Sequence, residues 1–123
     1  MVNYKDECQE LARCHAEIVV VDSYDERGIP LFAIRTITKA IGMKSGRNSY
    51  WGVAFDEPLS DGSDAVAYSF VLAYSTSHAT NDERLKAYHP SWTLTSEDEN
   101  ILIERKHQAL KAIDELDRKS ACR

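Results

Sequence analysis

No apolar run in this chain approaches the roughly eighteen residues that a membrane-spanning helix requires, so a helical membrane protein is excluded. Cysteine is scarce. Cys8, Cys14 and Cys122 make an odd count with no CxxC pair, and Cys8 and Cys14 fall on differing faces of a helix. Disulfides are therefore not expected, nor is a metal site built from Cys8, Cys14 and His15. The chain also lacks a glycine-rich phosphate loop, a GxSxG elbow and an HExxH pair, and no pair of carboxylates stands apart from ordinary surface charge. The expectation is a protein that is not an enzyme, with no catalytic residues, no metal and no cofactor. The stretch Met1–Glu7 has neither the charged start nor the apolar centre of a signal peptide, which places the protein in the cytoplasm.

What is present is an ordinary soluble composition, 43% hydrophobic and 28% charged over 123 residues, which fits a single domain spanning 1–123. The formal charge is −5, but it is unevenly spread. Arg35, Lys39, Lys44 and Arg47 follow one another with no acid among them, and then Asp56, Glu57, Asp61 and Asp64 reverse the sign. A basic stripe in an acidic protein is a contact surface for phosphates or for an acidic partner, or else a solvated face paired to nearby acids.

In chain order, Tyr4, Cys8, Leu11, Ala12 and His15 recur at helical spacing, with Asn3 as N-cap. Ile18–Val21 is a β-branched run that reads as a buried strand, and Asp25–Gly28 supplies the turn of a hairpin. Pro30 biases Leu31–Ile34 toward a strand, after which Ile34, Ile37 and Ile41 recur at i, i+3 and i+7. That spacing predicts a short helix over Arg35–Ile41, ended by Gly42 at C′. Met43–Ser49 reads as a polar loop or a ragged second helix, and Tyr50–Phe55 as a strand with Trp51, Val53 and Phe55 on one face. Ala65–Ser75 alternates bulky and small side chains and reads as the longest strand. The loop 76–91 carries His78 and His89, with Trp92 and Leu94 holding it down. The final helix opens on the capping box Ser96-x-x-Glu99 and shows Leu102, Ala109 and Leu116 at heptad spacing beside Ile103, Leu110 and Ile113.

The pattern Gly28-x-Pro30-x-x-Ala33-x-Arg35-x-Ile37-x-x-x-Ile41-Gly42, followed by a basic and aromatic segment, resembles the amino-terminal domain of temperate-phage antirepressors, a relative of the Bro-N domain. The resemblance covers roughly residues 19–74. It implies a mobile-element origin and an action on a repressor, while Bro-N relatives are associated with DNA binding. The chain departs from the family's pattern in an extra helix in front and in lacking the long second domain.

Together these features predict an α+β fold. A small antiparallel sheet of about four strands should carry an amino-terminal helix, a short central helix and a long carboxy-terminal helix packed on it. Ile34, Ile37, Ile41, Val66, Phe70, Leu72, Leu110 and Ile113 should form its core. The expected function is that of a small regulatory binding protein acting stoichiometrically on a repressor or other protein, through Arg35, Lys39, Lys44, Arg47 and Tyr50. Two alternatives stand beside it: direct nucleic-acid binding through the stripe 35–47, and an acidic inhibitor or immunity-type protein. The broad apolar face of the final helix also allows a homodimer through it, with packing on the sheet as the plainer use.

Overall fold

The computed structural model describes residues 4–74 and 95–119, with side chains to residue 116. Among the described residues, five strands and two α-helices follow one another as α1 (Lys5–Arg13), β1 (Glu17–Tyr24), β2 (Pro30–Ser45), β3 (Asn48–Phe55), β4 (Ala65–Ala67), a 3₁₀ turn (Tyr68–Phe70), β5 (Ala73–Tyr74) and α2 (Ser96–Lys119). All pairings are antiparallel, in the order β4-β3-β2-β1-β5. The α+β class is as the sequence predicts. No helix among the described residues is long and apolar enough to cross a membrane.

The short helix expected over Arg35–Ile41 is instead the middle of β2, a strand of 16 residues. Residues 30–36 of β2 pair with β1 and residues 37–45 pair with β3, so the strand passes from one partner to the other at Thr36/Ile37. A bulge at Thr38 accompanies the change and shifts the alternation by one residue. Ile34 and Ile37 lie on opposite faces by alternation alone, and past the bulge it is Ala40, not Ile41, that shares the face of Ile37. Gly42 does not cap a helix but stands opposite Trp51 in the ladder. Nor is Met43–Ser49 a loop, since Ser45 and Asn48 pair and close a two-residue turn. Gly46 has φ 62° there, the first central position of a type II′ turn, which favours glycine.

The long strand expected over Ala65–Ser75 is divided. Ala65–Ala67 pairs with β3 at one edge of the sheet, and Ala73–Tyr74 pairs with β1 at the other. A flat sheet of five strands would hold its edges about 19 Å apart. The steps from Ala67 to Ala73 span only about 20 Å when fully extended, and Tyr68–Phe70 is a 3₁₀ turn that shortens that reach. The sheet must therefore curl so that its edges approach. Alternation fails at Tyr68 because the chain turns there to cross between them.

The curl makes one face the main core. Cys8 and Leu11 of α1 pack there with Ile18, Val20, Ile37, Val53, Phe55, Leu59 and Val71, all buried. Helix α1 ends in a Schellman arrangement: the N–H of His15 donates to Ala12 O and that of Ala16 to Leu11 O, with His15 at φ 49°. His15 is thus an exposed helix-ending residue and not part of an apolar face. Its Nδ1 lies 3.4 Å from Ile37 O. Tyr4 stands at the N-cap without a side-chain cap bond, and Asn3 lies outside the described residues. Cys8 is free and buried. Cys14 is disulfide-bonded, with its partner outside the described residues, which corrects the expectation of none. An odd count leaves room for one bridge, and the spacing argument excluded only Cys8 with Cys14.

Helix α2 covers the opposite face through Ala109 and Ile113, which meet Val19 and Ala73, with Phe32, Ile34, Leu72 and Leu110 packed around them. Of its apolar stripe Leu102, Ala109 and Ile113 are buried, whereas Ile103 is exposed. Its cap is Thr95, one residue before the expected Ser96: the Asp98 N–H donates to Thr95 Oγ1 at 3.1 Å. Arg105 and Arg27 tie α2 to the β1–β2 turn, through Arg105–Asp25 and Arg27–Asp98, each 2.9 Å. Of the expected core, Ile37 and Ile113 are fully buried, while Ile34, Ile41, Val66, Leu72 and Leu110 are half-buried. Phe70 is the correction: it is 66% exposed, because the 3₁₀ turn points it away from the sheet.

Candidate protein-docking site

The stretch Gly28–Phe55 carries Arg35, Lys39, Lys44 and Arg47 and no carboxylate. In the structure these cations separate. Arg35 is half-buried and engaged by backbone carbonyls, its Nε donating to Glu57 O (3.1 Å) and its Nη2 to Pro58 O (3.2 Å). It holds the loop 56–63 over the main core, where Leu59 is buried. Asp22 fastens the same loop by accepting from the Ser60 hydroxyl and N–H, and those bonds hold its carboxyl below the usual range. The acidic segment 56–64 is therefore organised by its own contacts, with Asp61 likewise accepting from the Ser63 N–H.

Lys39, Lys44 and Arg47 are exposed and make no ion pair among the described residues. The reading that pairs them to nearby acids finds no such pair among the described residues. Lys39 stands about 16 Å back along β2 from Lys44. Lys44, Arg47 and Tyr50 come together at the tip of the β2–β3 hairpin, where Met43 pairs with Tyr50 and Lys44 with Ser49.

Beside that tip is a groove of about 390 Å³, lined by Tyr4, Tyr50, Trp51, Tyr68 and Phe70 with Ser45 and Ser69 at its margin. Tyr4 and Tyr68 stack with ring centroids 4.5 Å apart and 25° between planes. Lys5 Nζ sits 5.6 Å from the Trp51 ring, at the limit of a cation–π contact. The groove exists because β4 follows β3 only from Ala54 to Gly52 before the chain turns away at Tyr68. Glycine at 52 allows that approach: a Cβ there would lie 2.4 Å from Val66 O and 2.6 Å from Met43 Sδ.

The sequence locates Arg47, Lys44 and Tyr50 at this place but misses the aromatic wall opposite. Its periodicity puts Tyr4 on a helix face and Phe70 in the core, whereas Tyr4 stands at the N-cap of α1 stacked on Tyr68 and the turn at 68–70 brings Phe70 out. A second groove, beside Tyr24, Arg27 and Gly28, carries no such charge pattern, since Arg27 is paired to Asp98 and Glu97. His78, His89, Trp92 and Leu94 lie outside the described residues. Among the described residues no group of three His, Cys, Asp or Glu is placed to hold a metal ion.

Comparison with protein-family models, with curated proteins and with solved structures finds no match to the chain.

Proposed function

We propose that this protein is a small regulatory binding protein that acts stoichiometrically on another protein and docks it at the hairpin tip and the adjoining aromatic groove. The observation that carries this reading is the juxtaposition of an exposed Phe70 and half-buried Tyr50 and Trp51 with Lys44 and Arg47, cations that make no ion pair among the described residues. Aromatic and arginine side chains around a concave apolar patch are the composition of binding hot spots. Basic charge on an acidic protein orients an acidic partner and speeds encounter. The resemblance to antirepressor amino-terminal domains supplies the partner class, a repressor or similar regulator.

A second reading, single-stranded nucleic acid on the same surface, is favoured by the nearness of aromatic rings to the exposed Lys44 and Arg47, the pairing that stacking platforms use. It would show steep salt dependence, flattened by Lys39→Gln, Lys44→Gln and Arg47→Gln together. The net charge of −5 weighs against it.

Affinity capture from the native host, followed by titration of the purified partner, tests the proposal. The expected result is a saturable complex of fixed stoichiometry, weakened by about 1 kcal/mol or more in each of Arg47→Ala and Tyr50→Ala. Multiple-turnover chemistry, or undiminished binding in both variants, would overturn it.

A further inference from the structure

We infer that the segment of the partner that enters the aromatic groove is a proline-rich peptide in the left-handed polyproline conformation, flanked by carboxylates that meet Lys44 and Arg47. This rests on the protein-binding reading and names the class of segment that the groove takes.

The backbone beside the groove is already in use. Gly52, Val53 and Ala54 pair with β4, and the pairing of Gly52 with Ala67 has the Tyr68 N–H bonding the Trp51 carbonyl. The outer edge of β3 is therefore open only around Ser49, too short a stretch to seat another strand. Recognition falls to side chains. Those around the groove are the rings of Tyr4, Tyr50, Trp51, Tyr68 and Phe70, with Ala67 the one aliphatic side chain among the described lining residues. Phe70 is 66% and Tyr4 43% exposed, so two of these rings are open to a ligand.

Hydrogen-bond sense separates the conformations that a bound segment could take. Every polar side chain among the described lining residues ends in a hydroxyl or an indole N–H, each able to donate, and none is a carboxylate or an amide. An α-helix bonds its carbonyls internally and offers such a rim no backbone acceptor. A polyproline helix has no internal hydrogen bonds, so its carbonyls remain open, and its prolines carry no N–H to leave unpaired. Its three-residue period also sets residues i and i+3 on one side, where two prolines meet the rings together. Aromatic-lined grooves bind such segments because the peptide arrives already ordered. Charge selects among them. Lys44 and Arg47 are exposed at the hairpin tip beside the groove, and no acid stands between Gly28 and Phe55, so carboxylates next to the prolines are complementary to this surface.

The test uses the full chain, isotopically labelled, titrated with a capped peptide of glutamate, glutamate, proline, proline, alanine, proline, proline, glutamate and glutamate in that order. Carboxylates at both ends make the probe indifferent to the direction in which the segment runs. Four further probes are its counterpart with alanine for every proline, its counterpart with lysine for every glutamate, an acidic helical peptide with leucines at i, i+4 and i+7, and an oligothymidylate. The expected result is a saturable shift of the Trp51 indole N–H and of the Tyr50, Ser69 and Phe70 amides with the first peptide. The alanine and lysine counterparts should each bind at least about fivefold more weakly. Phe70→Ala, a change at an exposed position, should weaken the first peptide, and Lys44→Gln with Arg47→Gln should remove its advantage over the lysine counterpart. Equal binding of the alanine counterpart overturns the inference, since charge alone would then account for it. Tighter binding of the helical peptide, binding of the oligothymidylate alone, or no shift at these residues with the first peptide at millimolar concentration overturns it too. Titration of the captured partner decides the protein-binding reading separately: a saturable complex beside a failed proline peptide overturns this inference alone.

Discussion

Gly52 has no room for a side chain, because a Cβ would strike the Val66 carbonyl, a backbone atom that cannot step aside, as well as the more yielding Met43 sulfur. Gly52→Ala should therefore cost about 1–3 kcal/mol in denaturant unfolding, whereas Gly42→Ala, with nothing within 4 Å of its Cβ, should cost little. Equal effects would show that the β3–β4 approach is looser than described. Asp25 organises the β1–β2 turn, its carboxylate accepting from the N–H groups of Ile29 and Arg27 and pairing with Arg105. The Ile29 bond above all holds its carboxyl below the usual range, as the Ser60 bonds do for Asp22. Both folded-state values are depressed, so the stability they contribute is fully present above the unfolded value, about 4, and is lost as pH falls through the folded one. Unfolding measured from pH 6 downward should show that loss, and Asp25→Asn should reduce its slope. Burial, with Glu7 adding to it, pushes the Cys8 thiol up to about 11, so it should resist alkylation at neutral pH until the chain unfolds. None of these local duties could be read from residue type alone; Arg35 and Arg47 look alike in the sequence, and only the loop at Glu57 and Pro58 distinguishes them.

At the scale of elements, β1 is legible from its β-branched run, and β3, the amino-terminal helix and the long final helix from their periodicity. Strand β2 is not. Ile34 and Ile37 stand on opposite faces by ordinary alternation and the bulge at Thr38 turns Ile41 away from the face of Ile37, so the spacing i, i+3, i+7 imitates a helical face that the strand does not have. The missed signal was β propensity, since Ile34, Thr36, Ile37, Thr38 and Ile41 are all β-branched. The stretch 65–75 failed for the opposite reason: its alternation is regular, but only long-range geometry tells where the chain must cross between sheet edges. Two substitutions separate these elements. Ile37→Ala, at a fully buried position, should cost about 2–5 kcal/mol. Phe70→Ala should change stability by less than about 0.5 kcal/mol. At the start of α2, Thr95→Ala should cost about 1 kcal/mol through loss of the bond to the Asp98 N–H, while Ser96→Ala should cost less.

Across the whole molecule, the curled sheet places two kinds of surface at opposite ends of β2. Toward the β1–β2 turn, charges are paired and bind α2 to the sheet, as Arg27, Arg105, Asp25 and Asp98 show. Toward the β2–β3 turn, Lys44 and Arg47 have no ion-pair partner among the described residues, and the Phe70 ring is exposed beside them. The docking surface proposed above lies at this second end. The most direct measurement is the hydrogen-exchange footprint of the captured partner on this chain. The expected result is protection concentrated in 44–51 and 68–70, with the exposed face of α2 unchanged. Protection confined to α2 or to the loop 56–64, with 44–51 exchanging as in the free protein, would contradict it.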